Sequence, residues 1–231
     1  MTEEKQQPII PSIETKLKHN LVRMPEAIGK ASGFCVRGRK MKSFLFSTDV
    51  AIIRNTNADA IFAVYPFTPE LSIIKAILSV AEVPVFVGVG GALTTGERSV
   101  HVALQAELNG ALGVVVNAPM PAEMIGRIAE VIDIPVVATI ASEEDDIYGK
   151  VKAGAQILNV SGGKNTAALI EYCRSLVGED FPILATSGST EEAIYSAIDA
   201  GANALTYTPP STAELVREMM AKNRKEDDHE S

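Results

Sequence analysis

Apolar residues along this chain fall into short runs with a two-part cadence that returns four times. The first member of each pair is entered through a Pro or a Lys-Ser: 42–48 (KSFLFST), 83–89 (VPVFVGV), 134–140 (IPVVATI) and 181–187 (FPILATS). The second is entered through Asn-Ala or Gly-Ala: 57–64 (NADAIFAV), 110–116 (GALGVVV), 154–160 (GAQILNV) and 201–207 (GANALTY). Nearly every position within a run is apolar, as in a parallel sheet covered on both faces, and a β-sandwich with one wet face is thereby excluded. Between the runs lie helix-length segments. Residues 69–81 set Leu71, Ile74, Ile77 and Leu78 at helical spacing, and 97–108, 121–132, 142–152, 166–177, 190–200 and 212–222 complete the helices, with room only for a short one in 49–55. Eight strands in alternation with helices predict an α/β fold, a single (β/α)8 TIM barrel with an N-terminal extension. An open doubly wound sheet is the runner-up, but GxGxxG after a first strand is missing.

The barrel is expected over 32–222, after a partly helical lead-in (1–31, with a short helix in 14–28) and before a charged, solvated tail (223–231). Residues 32–39 (SGFCVRGR) form one further apolar segment. Because eight strands already fill the cylinder, this segment is expected to be a hairpin or plug at its bottom.

Composition narrows the class. A chain of 231 residues with 46% hydrophobic positions suits one such barrel, whose usual size is roughly 250 residues. No apolar run approaches the roughly 20 residues that span a bilayer, so no membrane partner is expected. The start, MTEEKQQPIIPS, lacks the basic head and apolar stretch of a signal peptide, which points to a cytoplasmic location. Cys35 and Cys173 fit neither a disulfide framework nor a paired metal-ligand spacing, and read as buried or neutral thiols in a reducing compartment. A net charge of −8, with no basic stripe and no Trp, argues against nucleic acid. A homodimer is left open.

In this fold chemistry sits at the carboxyl ends of the strands. Those ends read Ser47-Thr48-Asp49, Tyr65-Pro66-Phe67, Gly90-Gly91, Asn117, Thr139, Asn159 with Ser161-Gly162-Gly163-Lys164-Asn165, Thr186-Ser187-Gly188-Ser189 and Tyr207-Thr208-Pro209-Pro210-Ser211. They are rich in hydroxyls, amides and glycines and nearly empty of His, Asp and Glu. His19, His101 and His229 all lie elsewhere, which excludes a Ser-His-Asp triad and a His-rich zinc site.

The glycine turns after the sixth and seventh strands, with the helix start after the eighth, would aim backbone N–H groups and helix positive ends at one spot, which suits a phosphate. The competing reading is that these are only turns and helix starts. Ser189-Thr190-Glu191-Glu192 and Ser211-Thr212-Ala213-Glu214 both match capping boxes. Lys164 reads as a Schiff-base lysine, a counter-charge for phosphate or carboxylate, or an exposed loop residue. Asp49 reads as a general base or as a cap for the short helix after it. Asn117, Thr139, Asn159 and Tyr65 line a substrate pocket or satisfy backbone groups. The run Glu143-Glu144-Asp145-Asp146 opens a helix and offsets its dipole, the alternative being a metal site.

The stretch 134–209, with IPVVATI, KAGAQILNV and FPILATSGSTEEAIYSAIDAGANALTY, resembles the phosphate-binding (β/α)8 barrels of the ribulose-phosphate-binding type. Their last two strands read something like PIIAGGI, then a helix, then AGADAVxxGS. The family includes epimerases, lyases, synthases and an antiterminator-like regulatory protein. The resemblance implies that Ser187-Gly188 stands where the family's Gly-Gly binds phosphate. Ser187 replaces the first Gly, and Thr208-Pro209-Pro210-Ser211 replaces the Gly-Ser after the eighth strand. Proline offers no N–H, so the cup would lean on Gly162, Gly163, Gly188, Ser189 and Ser211.

The expected function is binding of a small phosphorylated metabolite, with lyase, isomerase or epimerase chemistry on a sugar phosphate if the chain is an enzyme, and no cofactor or metal. Asp49 or Lys164 would then handle protons or carbonyl activation. The alternatives are a non-catalytic metabolite-sensing barrel, and a metal-assisted hydrolase that needs Asp49 and the 143–146 carboxylates to converge.

Overall fold

The eight apolar runs close into one parallel barrel in the computed structural model, which describes residues 11, 13 and 22–227, with side chains through residue 221. A 3-10 turn at Glu26–Lys30 comes first, followed by the antiparallel hairpin of β1 (Phe34–Val36) and β2 (Arg39–Met41). Strands and helices then alternate: β3 (Ser43–Phe46), α1 (Val50–Arg54), β4 (Ala60–Ala63), α2 (Leu71–Val80), β5 (Val85–Gly90), α3 (Glu97–Leu108), β6 (Gly113–Val116) and α4 (Ala122–Ala129). The second half continues with β7 (Val136–Ile140), α5 (Ile147–Lys152), β8 (Ala155–Val160), α6 (Thr166–Val177), β9 (Ile183–Ala185), α7 (Glu191–Asp199), β10 (Ala204–Tyr207) and α8 (Thr212–Asp227). Strands β3 to β10 lie in chain order, and β10 pairs back on β3 with Thr206 opposite Phe44. Among the described residues no helix is long and apolar enough to cross a membrane.

Period-two alternation along each strand splits the apolar residues into two cores. Leu45, Ile61, Val87, Val114, Ala138, Leu158 and Leu205 face the helices. Phe44, Phe62, Phe86, Val115, Val137, Ile157, Leu184 and Ala204 fill the cylinder. Phe86 lies opposite Gly113, where a Cβ would come within 2.4 Å of the ring, so glycine at 113 is what admits the phenylalanine.

The hairpin closes the end of the barrel where the strands begin. Phe34 and Met41, paired across β1 and β2, are buried with the interior core. The Phe34 and Phe44 rings lie 5.6 Å apart, and Phe44 meets Phe86 edge-on at 5.3 Å. Asn203, just before β10, fastens the hairpin: its carbonyl accepts from Gly33 N–H (2.7 Å) and its amide donates to Ser32 Oγ (3.0 Å). Arg174 then locks this end. Its guanidinium donates five hydrogen bonds, to the carbonyls of Gly178, Glu179, Phe181 and Gly201 and to Asn203 Oδ1.

Several local expectations change. The 143–146 run does not open a helix: Asp145 Oδ2 accepts from Ala141 and Ser142 N–H, holding the segment as a loop, and Asp146 caps α5 by accepting from Gly149 N–H. Cys35 is exposed, not buried, whereas Cys173 is buried and its thiol is pushed up to about 11 by that burial. Helix α8 runs on through Asp227, five residues into the expected tail; residues 228–231, His19, and most of the expected helix in 14–28 lie outside the described residues.

Phe34→Ala is expected to destabilise the protein by about 3–5 kcal/mol in urea unfolding, through lost burial and a cavity under Phe44. Cys35→Ala, on the outer face of the same strand, should stay within about 0.5 kcal/mol.

Candidate functional site

At the opposite end of the barrel the interior turns polar. One step beyond Val137, Ile157, Leu184 and Ala204, the same alternation brings Thr139, Asn159, Thr186 and Thr206 to the inner face. Thr139 and Asn159 lie opposite each other in register. Thr206 Oγ1 donates to Thr186 Oγ1 (3.1 Å), Thr186 Oγ1 donates to Asn159 Oδ1 (3.0 Å), and Asn159 Nδ2 reaches Thr139 Oγ1 at 3.4 Å. Thr139 and Asn159 are thus brought together. Thr206 escaped the sequence reading because the strand end was placed at Tyr207; stepping by two from Ala204 would have found it.

Asn117 and Tyr65 lie on the other side of the mouth, lining a small cavity of about 50 Å3 with Phe67, Gly90 and Leu93. The Tyr65 hydroxyl accepts from Glu70 N–H (2.9 Å), which fixes the ring. Gly91 has a positive φ of 112°, and a Cβ there would sit 2.6 Å from Asn117 N, so this glycine lets the two loops touch.

A larger cavity of about 490 Å3 opens between α6 and α7, lined by Gly163, Lys164, Thr166, Thr186, Ser187 and Gly188 together with residues of the two helices. The buried Thr166 hydroxyl organises its floor, accepting from Gly162 N–H (3.1 Å) and donating to Gly163 O (2.9 Å). The backbone N–H groups of Ser187, Gly188 and Ser189 have no partner among the described residues. Ser187 Oγ is buried and also unpartnered. Lys164, in a 3-10 turn at Gly163–Asn165, is exposed and has no ion-pair partner among the described residues. Four N–H or O–H donors and one ammonium therefore border the start of α7, where the helix dipole adds positive potential.

The remaining candidates sit elsewhere. Ser211 does not line this cavity. It forms a capping box with Glu214, donating to Glu214 Oε2 from both N–H and Oγ (2.7 Å each) and accepting from Glu214 N–H (3.3 Å). The other expected box does not form around Ser189: Thr190 is the cap of α7 and accepts from Ala193 N–H. Gly162 faces a neighbouring cavity with Ser142, Glu143, Glu144 and Asn165.

Asp49 is the N-cap of α1, its Oδ1 accepting from Ala51 and Ile52 N–H, while Oδ2 accepts from Thr212 Oγ1 (2.5 Å). The Thr212 hydroxyl, aided by the two N–H groups and opposed by partial burial, holds this carboxyl below its ordinary value of 3.8. Asp49 does not line the Lys164 cavity, so the expected shared pocket of the two is not formed.

Lys150, which the sequence did not single out, is 3% exposed and donates to Ala118 O (2.6 Å), Thr139 O (3.3 Å) and Asp145 Oδ1 (3.4 Å). It ties the loops after β6 and β7 together beneath the polar ring. Among the described residues no three His, Cys, Asp or Glu side chains form a group able to hold a metal ion, so Asp49 and the 143–146 carboxylates do not converge as a metal-assisted hydrolase would need.

No protein-family model matches the chain, and no curated protein matches it in sequence. Solved structures do match. A phosphonopyruvate hydrolase superposes with a TM-score of 0.63 at 14% identity, over 83% of this chain and 85% of that one. The phosphoenolpyruvate phosphomutase of Streptomyces platensis subsp. rosaceus gives 0.60 at 12% identity, covering 86% and 83%. A 2,3-dimethylmalate lyase, a member of the PEP mutase/isocitrate lyase superfamily, gives 0.57 at 12% identity, covering 87% and 84%. The likeness is one of fold. It supports the (β/α)8 barrel and does not point to the ribulose-phosphate-binding family in particular.

The capping role of Asp49 has a pH signature. Because its folded-state pKa is depressed, the stability it contributes is fully present above its ordinary value of 3.8 and is lost as pH falls through the lowered folded value. Asp49→Ala is expected to cost about 1 kcal/mol at pH 7, and the gap from wild type in chemical unfolding should close below pH 3.8.

Proposed function

We propose that this chain binds a small phosphorylated metabolite in the cavity between α6 and α7 and acts on it as a lyase, isomerase, epimerase or mutase. The observation that carries this reading is the row of unpartnered donors at Ser187, Gly188 and Ser189, with Ser187 Oγ buried beside them and Lys164 across the cavity. A buried hydroxyl without a partner costs about 1–3 kcal/mol, a cost that an acceptor-rich dianion removes. The phosphate would take the N–H groups and the positive end of α7, with Lys164 as counter-charge. The organic part would extend over the polar ring through Thr186, which belongs to both. A sugar phosphate is one such ligand. Two of the structural neighbours are named for small molecules bearing phosphorus, phosphonopyruvate and phosphoenolpyruvate, which supports a compact phosphorylated or phosphonylated acid equally well.

A second reading, a metabolite-sensing barrel without turnover, is favoured by one observation. The inward ring of Thr139, Asn159, Thr186 and Thr206 holds no side chain that titrates near neutral pH, and the Asp49 carboxylate is engaged with α1 and α8. In that reading the ligand shifts association with a partner.

Thermal unfolding with phosphate, sulfate and a panel of sugar phosphates and phosphorylated carboxylic acids tests the site. A ligand at a hundred times its dissociation constant adds about 2.7 kcal/mol, a rise of about 5–10 °C for a chain of this size. Lys164→Met and Ser189→Asp should each abolish most of the shift. The new carboxylate at 189 suits the dipole of α7 and so leaves the fold intact; Gly188 is unsuitable for substitution because its φ is 96°. If no anion moves the transition, or the two variants respond as wild type does, the anion site is refuted. Consumption of the stabilising ligand separates enzyme from sensor.

A further inference from the structure

We infer that Thr139 orients the bound ligand, by donating its hydroxyl proton to an acceptor oxygen next to the anchored phosphate, and that the site therefore selects ligands bearing a carboxylate or carbonyl there over polyols. The inference rests on the proposed anion site and adds the chemistry of the ligand's other end.

It follows from the direction of the hydrogen-bond chain. Asn159 Oδ1 can only accept, so the proton of Thr186 is committed to it. Thr186 then has no proton left for Thr206, and the 3.1 Å contact between those hydroxyls must be a donation from Thr206. At the other end Asn159 Nδ2 faces Thr139 Oγ1 as donor, so Thr139 is an acceptor there. Its own proton has no acceptor among the described residues. Thr206 and Asn159, at 3% and 4% exposure, are buried, whereas Thr139 and Thr186 are half-buried at the mouth. Of the three hydroxyl protons in the chain, the one on Thr139, at the mouth, is therefore left uncommitted.

The surroundings carry the same bias. The Thr139 carbonyl accepts from the Lys150 ammonium, so the strand end is polarised towards positive potential. The cavity contributes Lys164 and unpartnered N–H groups, and no carboxylate lines it. A polyol would bring donors to a site with few acceptors and leave them unpaired, whereas a carboxylate or carbonyl brings only acceptors.

Calorimetric affinities for inorganic phosphate, 3-phosphoglycerate and glycerol 3-phosphate test this, since the last two differ mainly in a carboxylate against a hydroxymethyl group. Wild type should prefer 3-phosphoglycerate by about tenfold or more. Thr139→Val should reduce that ratio severalfold while leaving inorganic phosphate binding unchanged. Thr139→Ser should keep the ratio, and so should Thr206→Val, which removes the far end of the chain without touching the free proton. Equal affinity of wild type for the two esters overturns the inference, as does a ratio that survives in Thr139→Val. A ratio lost in Thr206→Val and kept in Thr139→Val would mean that the Asn159 amide is turned over and the free proton lies on Thr206, and this also overturns it. Should inorganic phosphate fail to bind, the anion site falls by itself; glycerate against glycerol then decides on Thr139, a tenfold preference for glycerate that Thr139→Val removes supporting it and equal binding refuting it.

Discussion

The pairing of β10 with β3 fixes the position of every inward side chain in this protein. Once Thr206 lies opposite Phe44 the cylinder is closed, and a slip of one residue on any strand would exchange its inner and outer faces. Closure also removes the free sheet edges that an open sheet exposes. The interior is left with two ends of opposite character. Aromatic side chains crowd the end where the strands begin, and hydroxyls and amides occupy the end where they finish. A parallel barrel separates these tasks because all strands point the same way.

Stabilising contacts concentrate at the first end. Phe34, inserted from the hairpin, packs on Phe44, which packs on Phe86, and Gly113 makes room for that ring. Asn203 and Arg174 satisfy the carbonyls of the turns around it. Burial depresses the pKa of the Arg174 guanidinium, yet the hydrogen bonds of its two terminal nitrogens to five acceptors keep the group in place. The second end spends its polar groups differently. Lys150 and Asp145 hold the loops after β6 and β7, and Asp49 with Thr212 holds the start of α1 to the start of α8. These residues shape the rim without entering the large cavity.

The strand count, the helix order and the hairpin were legible because each rests on a local pattern: all-apolar runs, helical spacing, and an apolar segment left over once eight strands were counted. The start of α5 was missed because Asp145 reaches back to two N–H groups and holds 143–146 as a loop, a competition between side chain and helix that an acidic run does not reveal. At the mouth, Thr139 and Asn159 were legible as strand ends. Thr206 lies one residue short of its strand end and needed the inward phase, which only closure supplies. Lys150 was illegible for a related reason: its partners are the carbonyls of Ala118 and Thr139, far away in sequence. Asp49 and Ser211 look the same in sequence whether they meet a ligand or cap a helix. Their partners, Thr212 and Glu214, are what separate the two readings.

The same distinction sets the turn at Ser187 to Ser189 apart from the other glycine turns. Gly162 gives its N–H to Thr166, and Ser211 gives its donors to Glu214. In both places these particular donors are taken up within the chain. The turn after β9 does not close. Thr190, not Ser189, caps α7; among the described residues the three successive N–H groups ahead of it have no partner, and Ser187 Oγ is buried beside them without an acceptor. Of these donors the Ser187 hydroxyl is the buried one, and leaving it without an acceptor beside a 490 Å3 cavity costs stability that an acceptor from outside the chain would offset.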